Sequence, residues 1–169
     1  MNNTSCNDKP VYNVLLLGKS WVGKSTLITS YLGGENNHKM NDGRVNILWF
    51  NTNKGRIKVR VYDCQTPNDS HVKGVNISFI IYMFDMKDRS TFESSIDSYD
   101  SLHLNTIPSI ICGNKCDLVS DELITTITDI VNKSVNITFY PISARTFHNC
   151  KQLFLDMLRH LYDDKLNFI

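Results

Sequence analysis

Residues 18–25 read Gly18-Lys19-Ser20-Trp21-Val22-Gly23-Lys24-Ser25, a complete G-x-x-x-x-G-K-S pattern. These residue types at this spacing suit phosphate chemistry. A tight glycine-bounded loop aims successive backbone N–H groups inward at phosphate oxygens, and the helix that follows adds its positive N-terminus. Lys24 neutralises oxygens of the β and γ phosphates, the Ser25 hydroxyl is placed for Mg²⁺, and Thr26 carries the loop into the helix. A chance glycine turn before a helix is the bland alternative, and the complete motif between a predicted strand and a predicted helix outweighs it. Trp21 is unusual in such a loop. Only its backbone N–H is needed, so the indole points outward, either to shield the phosphates or to pack on a neighbouring loop.

Other reactive side chains carry less. Cys112-x-x-x-Cys116 with His148 and Cys150 suggests zinc, but closed zinc sites favour tighter CxxC pairs, so ordinary strand-and-loop thiols are expected. His38, His71, His103, His148 and His160 share no metal-ligand spacing and read as surface residues. Phe79, Tyr82, Met83 and Phe84 read as core.

A phosphate loop works where a strand hands over to a helix, and the surrounding pattern supplies both. Residues 11–17 form a buried-strand pattern and residues 24–32 a helical one. Residues 45–50 and 57–62 bracket the turn-rich Asn51-Thr52-Asn53-Lys54-Gly55 and predict a hairpin. In its second arm Ile57, Val59 and Val61 alternate with Lys58 and Arg60, giving one buried and one wet face. Residues 77–84 are apolar apart from Ser78, as a central parallel strand should be. Ser90 with Glu93 predicts a capping box opening a helix to about residue 103. Residues 108–112 and 137–140 are further short strands, and Ser120 followed by Asp121 and Glu122 caps the helix between them. Leu153, Phe154, Met157, Leu158 and Leu161 stripe a closing helix. The expected fold is α/β: a six-stranded, mostly parallel sheet with one antiparallel hairpin between its second and third strands and helices on both faces.

Composition narrows the function classes. The chain has 169 residues, 41% apolar and 21% charged, which excludes wholesale disorder. Lysine plus arginine (18) nearly cancels aspartate plus glutamate (17), so net charge makes no case for nucleic acid. Residues 1–10 are polar and expected to fray, leaving residues 11–169 as a single domain. No apolar signal segment opens the sequence and five cysteines make an odd set, so free thiols in a reducing cytoplasmic or nuclear compartment are expected.

Two further motifs select the base. Asn114-Lys115-Cys116-Asp117 follows one predicted strand and Ser143-Ala144-Arg145 the next. With the phosphate loop, they make the chain resemble the Ras-like small GTPases, the G-domain class of P-loop NTPases. The resemblance implies that Asp117 accepts hydrogen bonds from guanine N1–H and the 2-amino group. It places Lys115 against base and ribose, sets Asn114 to brace the phosphate loop, and has the Ala144 N–H donate to guanine O6. Asp63 is implied as the Mg²⁺-side carboxylate beside Ser25. Within the superfamily the likeness is to the Ran branch of nuclear-transport GTPases. It is carried by Asn51-Thr52-Asn53-Lys54-Gly55-Arg56-Ile57-Lys58, Met83-Phe84-Asp85, Ile111-Cys112-Gly113-Asn114-Lys115 and Leu166-Asn167-Phe168-Ile169. The lack of a C-terminal lipidation cysteine agrees with that branch and predicts no membrane anchor.

Departures cluster where the γ-phosphate is sensed. The family's D-T-A-G-Q-E is here Asp63-Cys64-Gln65-Thr66-Pro67-Asn68. Thr66 replaces the glycine that reads the γ-phosphate, and Pro67 replaces the glutamine that orients water. Gln65, two residues early, is the one remaining catalytic candidate. No threonine lies between Thr29 and Thr52 to close over Mg²⁺; Asn41 or Asp42 is the weak stand-in, and Asn36 replaces the guanine-stacking aromatic. The basic run used for receptor binding is reduced to Lys133 in Asn132-Lys133-Ser134-Val135.

The expectation is a monomeric, Ran-like binder of GTP or GDP with Mg²⁺, impaired in hydrolysis, acting in or against nucleocytoplasmic transport. Implied partners are transport receptors and exchange or activating proteins, with no nucleic acid. The alternative is a nucleotide-free pseudo-GTPase that competes for a true GTPase's partners. Asn114–Asp117 and the short chain argue against an adenine-nucleotide kinase.

Overall fold

The computed structural model describes residues 11–31, 38–39, 45–102, 107–134 and 137–169. Asn36, Asn41, Asp42, His103, Val135 and the first ten residues lie outside the described set. The elements in chain order are β1 (Tyr12–Leu17), α1 (Lys24–Tyr31), β2 (His38–Lys39), β3 (Val45–Thr52), β4 (Gly55–Cys64), β5 (Phe79–Asp85), α2 (Arg89–Leu102), β6 (Ser109–Asn114), α3 (Asp121–Ser134), β7 (Thr138–Pro141) and α4 (Cys150–Leu161). They form one sheet in the order β2-β3-β4-β1-β5-β6-β7. The β3–β4 hairpin is antiparallel, while β4, β1, β5, β6 and β7 run parallel. Six strands follow the sequence pattern. The two-residue β2, antiparallel to Asn46 and Ile47, has too little apolar periodicity to be read beforehand.

β1 is central because its side chains are wanted on both faces. Val14 and Leu16 join one core with Leu27, Ile28, Leu153, Phe154, Met157 and Leu158 from α1 and α4. Leu15 and Leu17 join the other, against α2 and α3 through Phe92, Ile96, Ile127 and Val131. Burying each such side chain contributes about 1.5–3 kcal/mol. Helices therefore cover both faces of the sheet.

Two local expectations change. Thr52 pairs with Gly55, so the strands run on to a two-residue turn at Asn53 and Lys54. The cap of α2 is Asp88 rather than a Ser90–Glu93 box: its carboxylate accepts the Ser90 N–H at 2.9 Å, and Glu93 pairs instead with Arg89 at 2.8 Å. Aspartate two residues earlier offers the stronger, charged acceptor, and it is held below the usual carboxylate range chiefly by its hydrogen bonds with Ser90. Ser120 does cap α3, its Oγ accepting from Leu123 N–H at 3.3 Å.

After α4 the chain returns to the hairpin. Leu166 is fully buried, Asn53 N–H donates to Asn167 O at 2.9 Å, and Phe168 bridges Thr52 in antiparallel fashion. Arg159 donates to Leu166 O at 3.0 Å and to Asn167 Oδ1 at 2.9 Å, holding that return in place. The carboxyl ends of β1, β4, β5 and β6 meet at one edge of the fold, with Leu17 beside Cys64 and Asp85 beside Asn114. The chain moves to β4 on one side of β1 and β5 on the other, leaving a crevice outside that edge.

Candidate functional site

A cavity of about 760 Å³ opens at that crevice, lined by Ser20, Trp21, Gly23, Lys24, Ser25 and Thr26 together with Asp63, Gln65, Thr66 and Asp69. Its floor is the loop between β1 and α1. Lys24 is buried beneath it, with its ammonium 2.6 Å from Gly18 O, 3.1 Å from Lys19 O and 3.5 Å from Asp63 Oδ1. Ser25 Oγ donates to Asp63 Oδ2 at 3.2 Å, bringing a hydroxyl and a carboxylate together at the start of α1. That pair is the hard-oxygen donor set a small divalent cation takes. The first turn of α1 carries no acidic residue, so its positive end is not neutralised from within. Gly18, Lys19 and Val22 stand behind this surface: two carbonyls hold Lys24, and Val22 is in the core.

A second cavity of about 310 Å³ adjoins it, lined by Asn114, Lys115, Asp117, Leu118, Ser143, Ala144 and Arg145, with Trp21, Gly23 and Thr26 shared between the two. Asn114, in the wall of the smaller cavity, ties the two sides together. Its Nδ2 donates to Val22 O at 2.7 Å and its Oδ1 accepts from Ala144 N–H at 2.8 Å, clamping the phosphate loop to the turn after β7. Gly23 makes the clamp possible: at φ 103° it has no Cβ, and one built there would lie 2.2 Å from Asn114 Nδ2. Lys115 adds a second tie, donating to Trp21 O at 3.0 Å while paired with Asp85 Oδ2 at 2.6 Å. Trp21 and Lys115 are both left-handed, at φ 68° and 65°. Each such non-glycine residue costs about 1–2 kcal/mol.

The geometry changes two expectations. The Ala144 N–H implied for a base oxygen is already donated to Asn114, so contact with a base oxygen requires sharing or opening that bond. Among the described residues the Trp21 indole packs on no neighbouring loop: it is 92% exposed. Asp117 and Arg145 are exposed at the cavity wall, whereas Ser143 is fully buried, its Oγ accepting from Thr146 N–H at 3.2 Å.

On the γ side, Gln65 and Thr66 are exposed and line the larger cavity, while Pro67 does not reach it. A turn from Thr66 to Asp69 leads into a short 3-10 helix, and Asp69 pairs with His71 Nδ1 at 2.7 Å.

Asp69 and Asp85 were missed by reading the sequence. Asp85 had a usable signal: an acid at the carboxyl end of a central parallel strand faces the crevice. Asp69 had none, since its place depends on the turn before it. Among the described residues no three His, Cys, Asp or Glu side chains gather to hold a metal ion. Cys112, Cys116 and Cys150 are buried free thiols; burial pushes Cys112 well up and Cys150 up to about 12. Among the described residues no helix is long and apolar enough to cross a membrane.

The family model described as the Ras family matches residues 13–163, from β1 through α4. Such a domain implies guanine-nucleotide binding, usually with Mg²⁺. The match covers the loop, the clamp and the sheet that joins them, and on it the chain belongs to the Ras family of small GTPases.

Proposed function

We propose that this chain binds GTP and GDP with Mg²⁺ across the two adjoining cavities and hydrolyses GTP slowly or not at all. The observation that carries the reading is the Asn114 clamp: it ties the phosphate loop directly to the turn after β7, beside which a phosphate-sized cavity and a base-sized pocket share Trp21, Gly23 and Thr26. Lys24 and the loop backbone would hold the phosphates, and Ser25 with Asp63 would hold Mg²⁺, which neutralises phosphate charge when bound. Asp117 at the wall of the smaller cavity is the acceptor for the guanine edge, which adenine cannot satisfy. A site built to hydrogen-bond its ligand discriminates by roughly 10⁴–10⁵ against one lacking the partner groups.

Slow turnover is supported by Pro67, which has no side-chain polar group to orient a water. Intact small GTPases turn over at on the order of 10⁻⁴ s⁻¹ unaided, and this chain is expected below that. Gln65 is the candidate substitute because it lines the phosphate cavity. The Ran-like stretches at residues 51–58 and 166–169 support a role in or against nucleocytoplasmic transport. Only Lys133 remains of the basic receptor-binding run, which favours weakened receptor contact.

Equilibrium binding of fluorescent GDP, GTP and ATP, with and without Mg²⁺, tests this. Guanine-selective, Mg²⁺-dependent binding at micromolar concentration or tighter is expected, with Asp117→Asn shifting preference from guanine to xanthine. Folded protein that binds none of the three nucleotides sinks it in favour of the pseudo-GTPase. Ordinary single-turnover rates sink the impaired-hydrolysis part alone.

A further inference from the structure

Trp21 is a bulky residue held in the left-handed region that favours glycine, at φ 68°. Its placement is fixed from behind: Lys115 Nζ holds its carbonyl at 3.0 Å and is itself anchored on Asp85 at 2.6 Å. Its indole nevertheless stands 92% exposed, and the residue lines both the phosphate cavity and the base-sized cavity. Backbone strain of this kind persists only where the surroundings over-determine it, and it concentrates at ligand clamps. An indole offers a flat apolar face and one N–H donor, which suits a sugar–phosphate joint with an apolar face and acceptor oxygens.

We propose that the Trp21 indole is a clamp on the bound nucleotide, closing over the part of the ligand that passes between the two cavities and slowing its release. The proposal rests on the guanine-nucleotide reading of those cavities. It assigns the side chain a role that the phosphate-loop motif, which uses only backbone at this position, does not contain.

The chain has two tryptophans. Trp49 lies in the β3–β4 hairpin under Arg56 at 4.4 Å and Lys58 at 5.5 Å. Trp49→Phe therefore leaves Trp21 as the single reporter. GDP with Mg²⁺ is titrated into this variant while tryptophan emission and acrylamide quenching are followed. Release of a fluorescent GDP analogue is timed in the native sequence, Trp21→Phe and Trp21→Ala. Saturable emission change, reduced quenching, and release roughly two- to tenfold faster from Trp21→Ala than from the native chain are expected, with Trp21→Phe between them. Should Trp49→Phe not fold, the release rates decide alone. Bound GDP with unchanged Trp21 emission and quenching, or native-rate release from Trp21→Ala, overturns the clamp and leaves the guanine-nucleotide reading standing. Absence of GDP binding to the native chain by equilibrium dialysis overturns both.

Discussion

The base side and the γ side of the site meet the same loop but are tied to it differently. On the base side one amide, Asn114, joins Val22 to Ala144, and one ammonium, Lys115, joins Trp21 to Asp85. Each tie spans distant stretches of chain and stands on the ends of parallel strands. On the γ side Asp63 is held through Lys24 and Ser25, but the segment beyond it is organised locally, by the Thr66–Asp69 turn and the Asp69–His71 pair. The proposed base pocket is thus tied by long-range bonds between strand ends, while the segment after Asp63 is held by short-range polar contacts and by Val72, which anchors it in the core. The expectation is that substitution of Thr66 and Pro67, which are not in the core, disturbs the rest of the architecture little.

The largest test of this contrast is Asn114→Ala. It removes two buried hydrogen bonds and orphans Val22 C=O and Ala144 N–H, so a loss of about 2–4 kcal/mol is expected in urea denaturation without nucleotide. A loss under about 1 kcal/mol breaks the contrast. Gly23→Ala should cost about 1–3 kcal/mol, through its positive φ and the collision with Asn114. In an Asn114→Ala background the collision disappears, so a double-mutant cycle should show coupling of at least about 0.5 kcal/mol. By contrast, Thr66→Gly with Pro67→Gln should change stability by no more than about 0.5 kcal/mol. The same pair should raise single-turnover hydrolysis by about tenfold or more, because a positioned water-orienting group contributes 10²–10⁴ in general. An unchanged rate would show that these two residues do not limit hydrolysis.

A further effect is alkaline. Cys112 and Cys150 are kept protonated by burial, Cys150 to about 12 against an ordinary 9.0. Below pH 9 both states hold the proton and stability is flat. Above it only the unfolded chain ionises, so stability should fall by about 1.4 kcal/mol per pH unit per thiol. Both thiols lie on the base side. Urea denaturation at pH 8 and at pH 10 should show this fall in stability, and unchanged stability at pH 10 would overturn it.

The sequence made the sheet legible wherever burial imposed period or continuity, as at β1 and in the alternation of Ile57, Val59 and Val61. It made the loop legible because glycine and lysine spacing is itself the mechanism. The α2 cap slipped by two residues because Asp88 and Ser90 both satisfy the same local rule, and only the chain path chooses between them. The use of Ala144 N–H by Asn114 was not legible, since it depends on two loops 30 residues apart meeting at one atom. The outward direction of Trp21 was legible, because the loop uses only its backbone; whether the indole packed on a neighbouring loop was not.

The return of the chain onto the hairpin also bears on self-association. β3 is bordered along its outer edge by β2 at Asn46 and Ile47 and by the tail at Asn51 and Thr52. Unpaired strand edges are templates for adding further strands, and the tail works here as an edge guard. Removing residues 167–169 would bare backbone beside Trp49 and Phe50, and the shortened chain is expected to form oligomers on standing.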